Sequence, residues 1–375
     1  MENKETISLW QFFILLLIFE MGSATVVGIG GEAKQNVWVA ILIAGLIGVI
    51  YILLLHIMLG KKEGKNLFGL IEFCLGKWLG GAVCYLYILY FIYISSRVLR
   101  DFGELIVSTI FVYTPIEIIN ITIMLTIIYM LYSGIEVMAR TSEIFFPYVF
   151  SFTFLVGFFI LLSGEIHLEN LKPFLEDGFR PILNAVFPGL LTFPFGELIA
   201  FATVLPLVTK FKKAKKFAVA SIITSTLVLV YSAVIQVMTL GHEMKGRANF
   251  PLLSAAREIS LLDFIERVDI AVVFVVMFGI IVKIGVFFFG AVKGLEHLSK
   301  REYRSFLFPI GSIICLSSII ITDNFAEHIE EGLKIVPYFV HLPFQFALPF
   351  LLFVIVFIRT RGKKGKKGSD MEWGG

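Results

Sequence analysis

The sequence predicts an all-α polytopic membrane protein: about ten transmembrane helices, built as two inverted halves of five, with the first and sixth helices broken. Three observations predict it. The 375 residues are 58% hydrophobic and only 16% charged, with a mean hydropathy of +0.89, well beyond what a soluble core needs. Apolar runs of roughly 20 residues, long enough to cross the hydrocarbon core, recur along the whole chain. Two of those runs are interrupted at similar depth, by Gly22-Ser23-Ala24-Thr25 and by Phe193-Pro194-Phe195-Gly196-Glu197. Backbone leaves a helix inside lipid only where protein or a cavity satisfies its N–H and C=O groups. Paired breaks at matching places of two halves mark a transporter-type binding centre near the midplane.

Span one, 7–30, carries Glu20 just before its break. Its length, that charge and the lack of a clear small-residue cleavage site set it apart from a signal peptide. Span two, 37–59, leads to a short amphipathic stretch at 66–73. Span three, 80–108, is long and carries Arg97, Arg100, Asp101 and Glu104 in one half. Spans four, 115–133, and five, 143–163, complete the first half. Span six, 186–209, holds the second break, and span seven, 217–241, is followed by a second amphipathic stretch at 249–259. Spans eight, 264–292, nine, 305–322, and ten, 336–358, finish the second half. The first repeat is thus 7–163 and the second 186–358, in a single transmembrane domain with a basic tail at 359–375. Five spans is an odd number, so the second half is inverted.

Positive charge follows every second span: Lys61, Lys62, Lys65 and Lys77; Arg140; Lys210, Lys212, Lys213, Lys215 and Lys216; Lys293, Lys300, Arg301 and Arg304; and the tail. That alternation places both termini in the cytoplasm. The tail marks the cytoplasmic face and is suited to anionic membrane lipid.

Candidate site residues cluster at the breaks. Gly22, Ser23, Ala24 and Thr25 with Thr192, Phe193, Phe195 and Gly196 form either a pocket for a small zwitterion or a close helix crossing, since small residues serve both. In the pocket reading, half-helix N-termini meet an anionic group and freed carbonyls meet a cation or ammonium. Lys283 lies deep in span eight on one face with Gly279, Val286 and Gly290, so it points into the bundle. It is either a proton-exchanging coupling group or the static partner of Glu20 or Glu197, the two carboxylates beside the breaks. Arg97 with Asp101, and Arg100 with Glu104, are spaced to neutralise each other along the helix close to headgroup depth; the alternative is an outer vestibule wall. Tyr90, Tyr93 and Ser96 lie near mid-depth of the same span and can face the cavity. The six His are scattered, and the three Cys (Cys74, Cys84, Cys315) read as small buried hydrophobes. No metal spacing, nucleotide loop, catalytic triad or carboxylate pair stands out, so neither a metal, a cofactor nor an enzymatic activity is expected, and nothing points to nucleic acid.

These breaks resemble the amino acid–polyamine–organocation superfamily, whose fold is LeuT-like. Phe193 to Glu197 is similar to the unwound sixth-span segment of amino-acid permeases, one residue shorter, and Gly22-Ser23-Ala24 is similar to their Gly-rich first break, departing at its last position. The whole chain more closely resembles the spore germination permease family, the B subunits of germinant receptors. The resemblance rests on Ile7-Ser8 and Gln11, on Arg97 with Asp101-Phe102, and on Thr114-Pro115. It also rests on Gly134-Ile135-Glu136-Val137-Met138-Ala139-Arg140, and on Phe195-Gly196-Glu197 with Leu205-Pro206. It implies a subunit that senses a small germinant such as an amino acid in the spore inner membrane, alongside an A subunit and a lipoprotein C subunit. A proton- or cation-coupled amino-acid transporter would use the same residues, and a water- or ion-conducting channel subunit would bind no nutrient.

Overall fold

The computed structural model describes residues 5–62, 64–258 and 268–369. The expected start of span eight at 264, the end of the second amphipathic stretch at Ile259 and the last six residues of the tail lie outside these. Helix α1 (Leu9–Met21) begins with a reciprocal cap: the Ser8 Oγ accepts from the Gln11 N–H at 3.1 Å, and the Gln11 Oε1 accepts from the Ser8 N–H at 3.0 Å. It is followed by α2 (Val37–Gly60), α3 (Leu67–Leu75), α4 (Lys77–Thr109), α5 (Ile116–Tyr132) and α6 (Ile135–Ser163). Span six is assembled from α7 (Arg180–Asn184), a π turn at Ala185–Leu190, a 3-10 turn at Phe195–Ala200 and α8 (Phe201–Val204). Then come α9 (Phe211–Arg247), α10 (Pro251–Arg257), α11 (Asp269–Ser299), α12 (Arg304–Ile320) and α13 (Phe325–Lys334). Two π turns, Pro337–His341 and Pro343–Ala347, lead into α14 (Leu348–Ser369).

All ten expected spans have an apolar helical counterpart. Among the described residues seven helical runs are long and apolar enough to cross a membrane, α12 and α13 pass that test only as a pair bent by 104°, and α1 and α5 are shorter apolar helices. The two amphipathic stretches are α3 and α10. Helices α4 and α11, spans three and eight, pack along one another, and α9 lies against both α1 and α2. The chain leaving span six returns to the start of span one: the Ile7 N–H donates to the Leu207 carbonyl and the Thr209 N–H to the Ile7 carbonyl, both at 3.0 Å.

Both breaks are present, and they differ. Helix α1 stops at Met21, Gly22 takes φ 19° and ψ −125°, and a single 3-10 turn covers Ser23–Thr25. Beyond it the chain forms no half-helix. It runs irregularly to Gly30 and enters a 3-10 segment, Gly31–Asn36, that feeds α2. The expectation of a continued span to residue 30, with a half-helix N-terminus exposed at the break, is corrected here. Gly28, Gly30 and Gly31 weaken helix in that stretch, with Gly30 at φ 65°, and α9 satisfies the backbone instead. The freed Thr25 carbonyl accepts from the Ser232 Oγ at 2.9 Å and the Gln236 Nε2 at 3.0 Å, and the Ile29 carbonyl accepts from the buried Lys245 Nζ at 3.1 Å. The second break falls at Phe193-Pro194, and the Thr192 hydroxyl donates back to the Pro188 and Gly189 carbonyls at 2.9 and 3.0 Å.

One element was not expected. The connection between spans nine and ten is the amphipathic helix α13, capped by Asn324, whose Oδ1 accepts from the Glu327 N–H at 2.9 Å.

Candidate nutrient-binding site

A cavity of about 440 Å3 opens between the two broken spans. Residues 27–32, just past the first break, form one wall. Phe193 and Glu197 of the second break form another. Arg97 and Asp101 of α4, His328 and Leu333 of α13, and His341 of span ten close the rest.

Lys283 does not line the cavity but pairs with Glu197, which does: it is fully buried, and its Nζ lies 2.5 Å from the Glu197 Oε2. The same ammonium sits 4.3 Å from the Phe193 ring centroid and 5.5 Å from that of Phe19. Two charges in a dry site hold together because each would be far costlier alone, and the aromatic faces add attraction to the cation. Of the two carboxylates beside the breaks, Glu197 is the one that takes the ion pair. Glu20 is also fully buried and within electrostatic reach of Lys283 and Glu197, and among the described residues neither of its oxygens has a hydrogen-bond partner.

Helix α4 reaches the mouth. The Arg97 Nη1 donates to the Glu331 Oε2 at 3.0 Å and to the Tyr93 hydroxyl at 3.2 Å, and its other nitrogen donates to the His328 carbonyl. Asp101 pairs with the His328 Nε2 at 2.9 Å. The expected Arg97–Asp101 pair is therefore replaced by two pairs onto α13, whose close approach offers both groups partners in better geometry than the helix surface does. The second expected pair forms, with Arg100 and Glu104 2.8 Å apart. Arg97→Gln removes two charge-assisted hydrogen bonds to α13, worth about 1.5–3 kcal/mol each. Amide exchange in 325–334, read by mass spectrometry, should speed up at least tenfold; unchanged exchange would assign the hold on α13 to the Phe250–Phe325 stack instead.

The predicted site residues separate into groups. Phe193 and Glu197 line the cavity. Ser23, Ala24 and Thr25 are buried in the first break, and Thr25 is bound to α9 through its carbonyl. Gly22 sits at a close crossing with α11: a Cβ on Gly279 would lie 2.7 Å from the Gly22 Cα, and one on Gly22 would lie 3.1 Å from the Lys283 Cδ. Thr192 spends its hydroxyl on the backbone of its own turn. Phe195 packs against Gly48, and a Cβ on Gly196 would strike the Gln345 side chain. Tyr93 meets the site through Arg97. Sequence reasoning missed His328, Glu331 and His341. Their only signal was that histidines and acids stand in two otherwise apolar or connecting stretches.

A larger groove of about 550 Å3 lies between α2 and the last span, lined by Tyr51, Leu54, Met58, Pro343, Phe350 and Phe353. Its walls are nearly all apolar, so it lacks the polar groups that fix a small nutrient in one orientation. Among the described residues no group of His, Cys, Asp and Glu has the arrangement to hold a metal ion.

Comparison with known proteins gives consistent results. A model of the family described as "Spore germination protein" matches residues 6–326. Spore germination protein KB of Bacillus subtilis (strain 168) is 33% identical over 98% of this chain and 99% of its own length. The putative spore germination protein YfkT of the same organism is 26% identical over 87% and 88%, and spore germination protein A2 is 26% identical over 86% and 87%. Among solved structures, MhsT in complex with L-phenylalanine superposes with a TM-score of 0.69 at 14% identity, covering 96% of this chain and all of that one. The likeness in fold agrees with the two broken spans and gives the architecture as LeuT-like. This chain, a multi-pass membrane protein, belongs to the spore germination protein family.

Proposed function

We propose that this chain is the germinant-sensing membrane subunit of a spore germinant receptor, and that it holds a small nutrient, an amino acid, in the cavity between its two unwound segments. The observation that carries the reading is one cavity walled by the irregular stretch that follows the first break and by Phe193 and Glu197 of the second. Its volume of about 440 Å3 falls within the range of small-molecule sites, about 300–1,000 Å3. Phe193 and Glu197 contact the nutrient. Gly22, Ser23, Ala24, Thr25, Thr192, Phe195 and Gly196 hold the breaks in shape, and Tyr93 steadies Arg97. Glu20 and Lys283 tie the site to α1 and α11. The subunit acts without catalysis in the spore inner membrane, with both termini cytoplasmic and α13 on the outer side. The repeats 7–163 and 186–358 move against one another, and the partners are the A subunit and the lipoprotein C subunit. A nutrient that prefers one packing of the bundle shifts the population towards it, and the partners receive that shift.

Deletion of the coding sequence in the parent spore tests the reading. Germination is scored against amino acids, sugars and nucleosides, in a strain without close paralogues. Loss of the response to at least one amino acid is expected; a wild-type response to all of them overturns the reading. A buried Lys–Glu pair also suits a proton-coupled transporter. Accumulation of the nutrient in proteoliposomes under a pH gradient would favour that second reading.

A further inference from the structure

Span ten contributes a polar relay beside the cavity. The Gln345 side chain is fully buried, and its Nε2 donates to the Tyr90 hydroxyl oxygen at 2.8 Å, while its own backbone carbonyl accepts from the Tyr51 hydroxyl. The Tyr90 hydroxyl lies 3.1 Å from the His341 Nδ1. A hydroxyl has one proton to give. With its oxygen accepting from Gln345, Tyr90 has that proton available for Nδ1, and in the tautomer that accepts it the neutral imidazole carries its own hydrogen on Nε2. A ring stack and a hydrogen bond hold the geometry: the Tyr90 and Phe344 rings lie 4.8 Å apart at 7°, and the Tyr87 hydroxyl donates to the Phe344 carbonyl at 2.7 Å.

His341 lines the cavity, and no described residue bonds its Nε2. Glu197 lines the same cavity. Its Oε2 is taken by Lys283, and no described residue bonds its Oε1. Beside the His328 Nδ1, which no described residue bonds, the wall thus offers a donor at His341 and an acceptor at Glu197. The wall carries groups of both signs: Glu197 is paired with Lys283 and Arg97 with Glu331, Asp101 meets the His328 Nε2, and Glu32 stands exposed at the edge. Burying a charge without a partner is costly, so a wall that offers groups of both signs suits a molecule that carries both charges itself. We infer that His341 is the specificity-determining contact for the nutrient's carboxylate, through its Nε2–H, and that Glu197 receives the ammonium. This assignment rests on the cavity being the nutrient site.

The test is calorimetry on the purified chain in lipid nanodiscs. The twenty L-amino acids are titrated first, and the best binder is then compared with the amine that lacks its carboxylate. Wild type should prefer the amino acid at least tenfold. His341→Phe should bind the amino acid at least tenfold more weakly and show no preference over the amine. His341→Gln, which keeps an N–H donor, should restore part of the preference, and Tyr90→Phe, which frees the tautomer, should reduce it. If His341→Phe or Tyr90→Phe folds and keeps the wild-type preference, the assignment is overturned while the site reading stands. If none of the twenty binds wild type, the amino-acid reading itself falls, and this assignment with it.

Discussion

Lys283→Met is expected to destabilise the folded bundle by about 3–5 kcal/mol, because it leaves the Glu197 carboxylate buried without its cation. Both partners are essentially closed to solvent, at 0% and 3% side-chain exposure, so water cannot take over. The lysine also fills space: its Cδ is within 3.1 Å of where a Gly22 Cβ would be, and its ammonium covers the Phe193 ring. Methionine matches the stem and not the charge, so the loss reports the charge. The double change Lys283→Met with Glu197→Gln should recover most of the stability, since an amide costs less to bury unpaired than a carboxylate. Thermal unfolding in detergent micelles measures both variants. A single variant that melts with wild type would mean that the pair is hydrated in the protein.

The second large effect is expected at the crossing of α1 and α11. Gly279→Leu forces a side chain into the backbone of Gly22, where a Cβ alone would already stand 2.7 Å from the Cα. A flexible side chain can move aside and a backbone cannot, so the helices must separate. Overpacking of this kind costs about 1–3 kcal/mol, and more where backbone is the obstacle. The expected result is loss of monodisperse protein on size exclusion, or a melting point lowered as far as by Lys283→Met. A well-folded Gly279→Leu protein would show that the crossing opens readily. The same geometry bears on the pocket: Gly22→Leu would abolish binding by disturbing Lys283 and α11 even if Gly22 never touched the nutrient. Substitutions at Phe193 and His341 are the cleaner probes of contact.

The ten spans were legible because an apolar run long enough to cross lipid leaves little other choice. The breaks were legible because Gly22, Pro194 and Gly196 stand where continuous helix would be cheaper. Lys283 could be singled out because an ammonium in mid-span must have a partner, although the choice between Glu20 and Glu197 needed the packing of α1, span six and α11. What stayed hidden depended on distant chain. Arg97 and Asp101 have a favourable local spacing, yet their partners Glu331 and His328 lie more than 220 residues away, and local rules cannot weigh such a contact. Helix α13 was hidden because its charged residues read as an ordinary polar connection. The missing half-helix after the first break was signalled by Gly28, Gly30 and Gly31, but its replacement by side chains of α9 was not. The relay from Gln345 through Tyr90 to His341 joins single polar residues of two spans, and no periodicity announces such a meeting.

The most direct measurement of nutrient binding between the broken spans is thiol protection. Leu333 lines the mouth and is 45% exposed, Phe350 lines the apolar groove and is 67% exposed, and the native Cys74, Cys84 and Cys315 are all buried. Leu333→Cys and Phe350→Cys proteins are alkylated with and without the amino acid that calorimetry selects. The expected result is a several-fold slower reaction at position 333 under saturating amino acid, with no change at position 350. Equal rates at position 333 with and without saturating amino acid, or protection confined to position 350, would contradict a site between the two breaks.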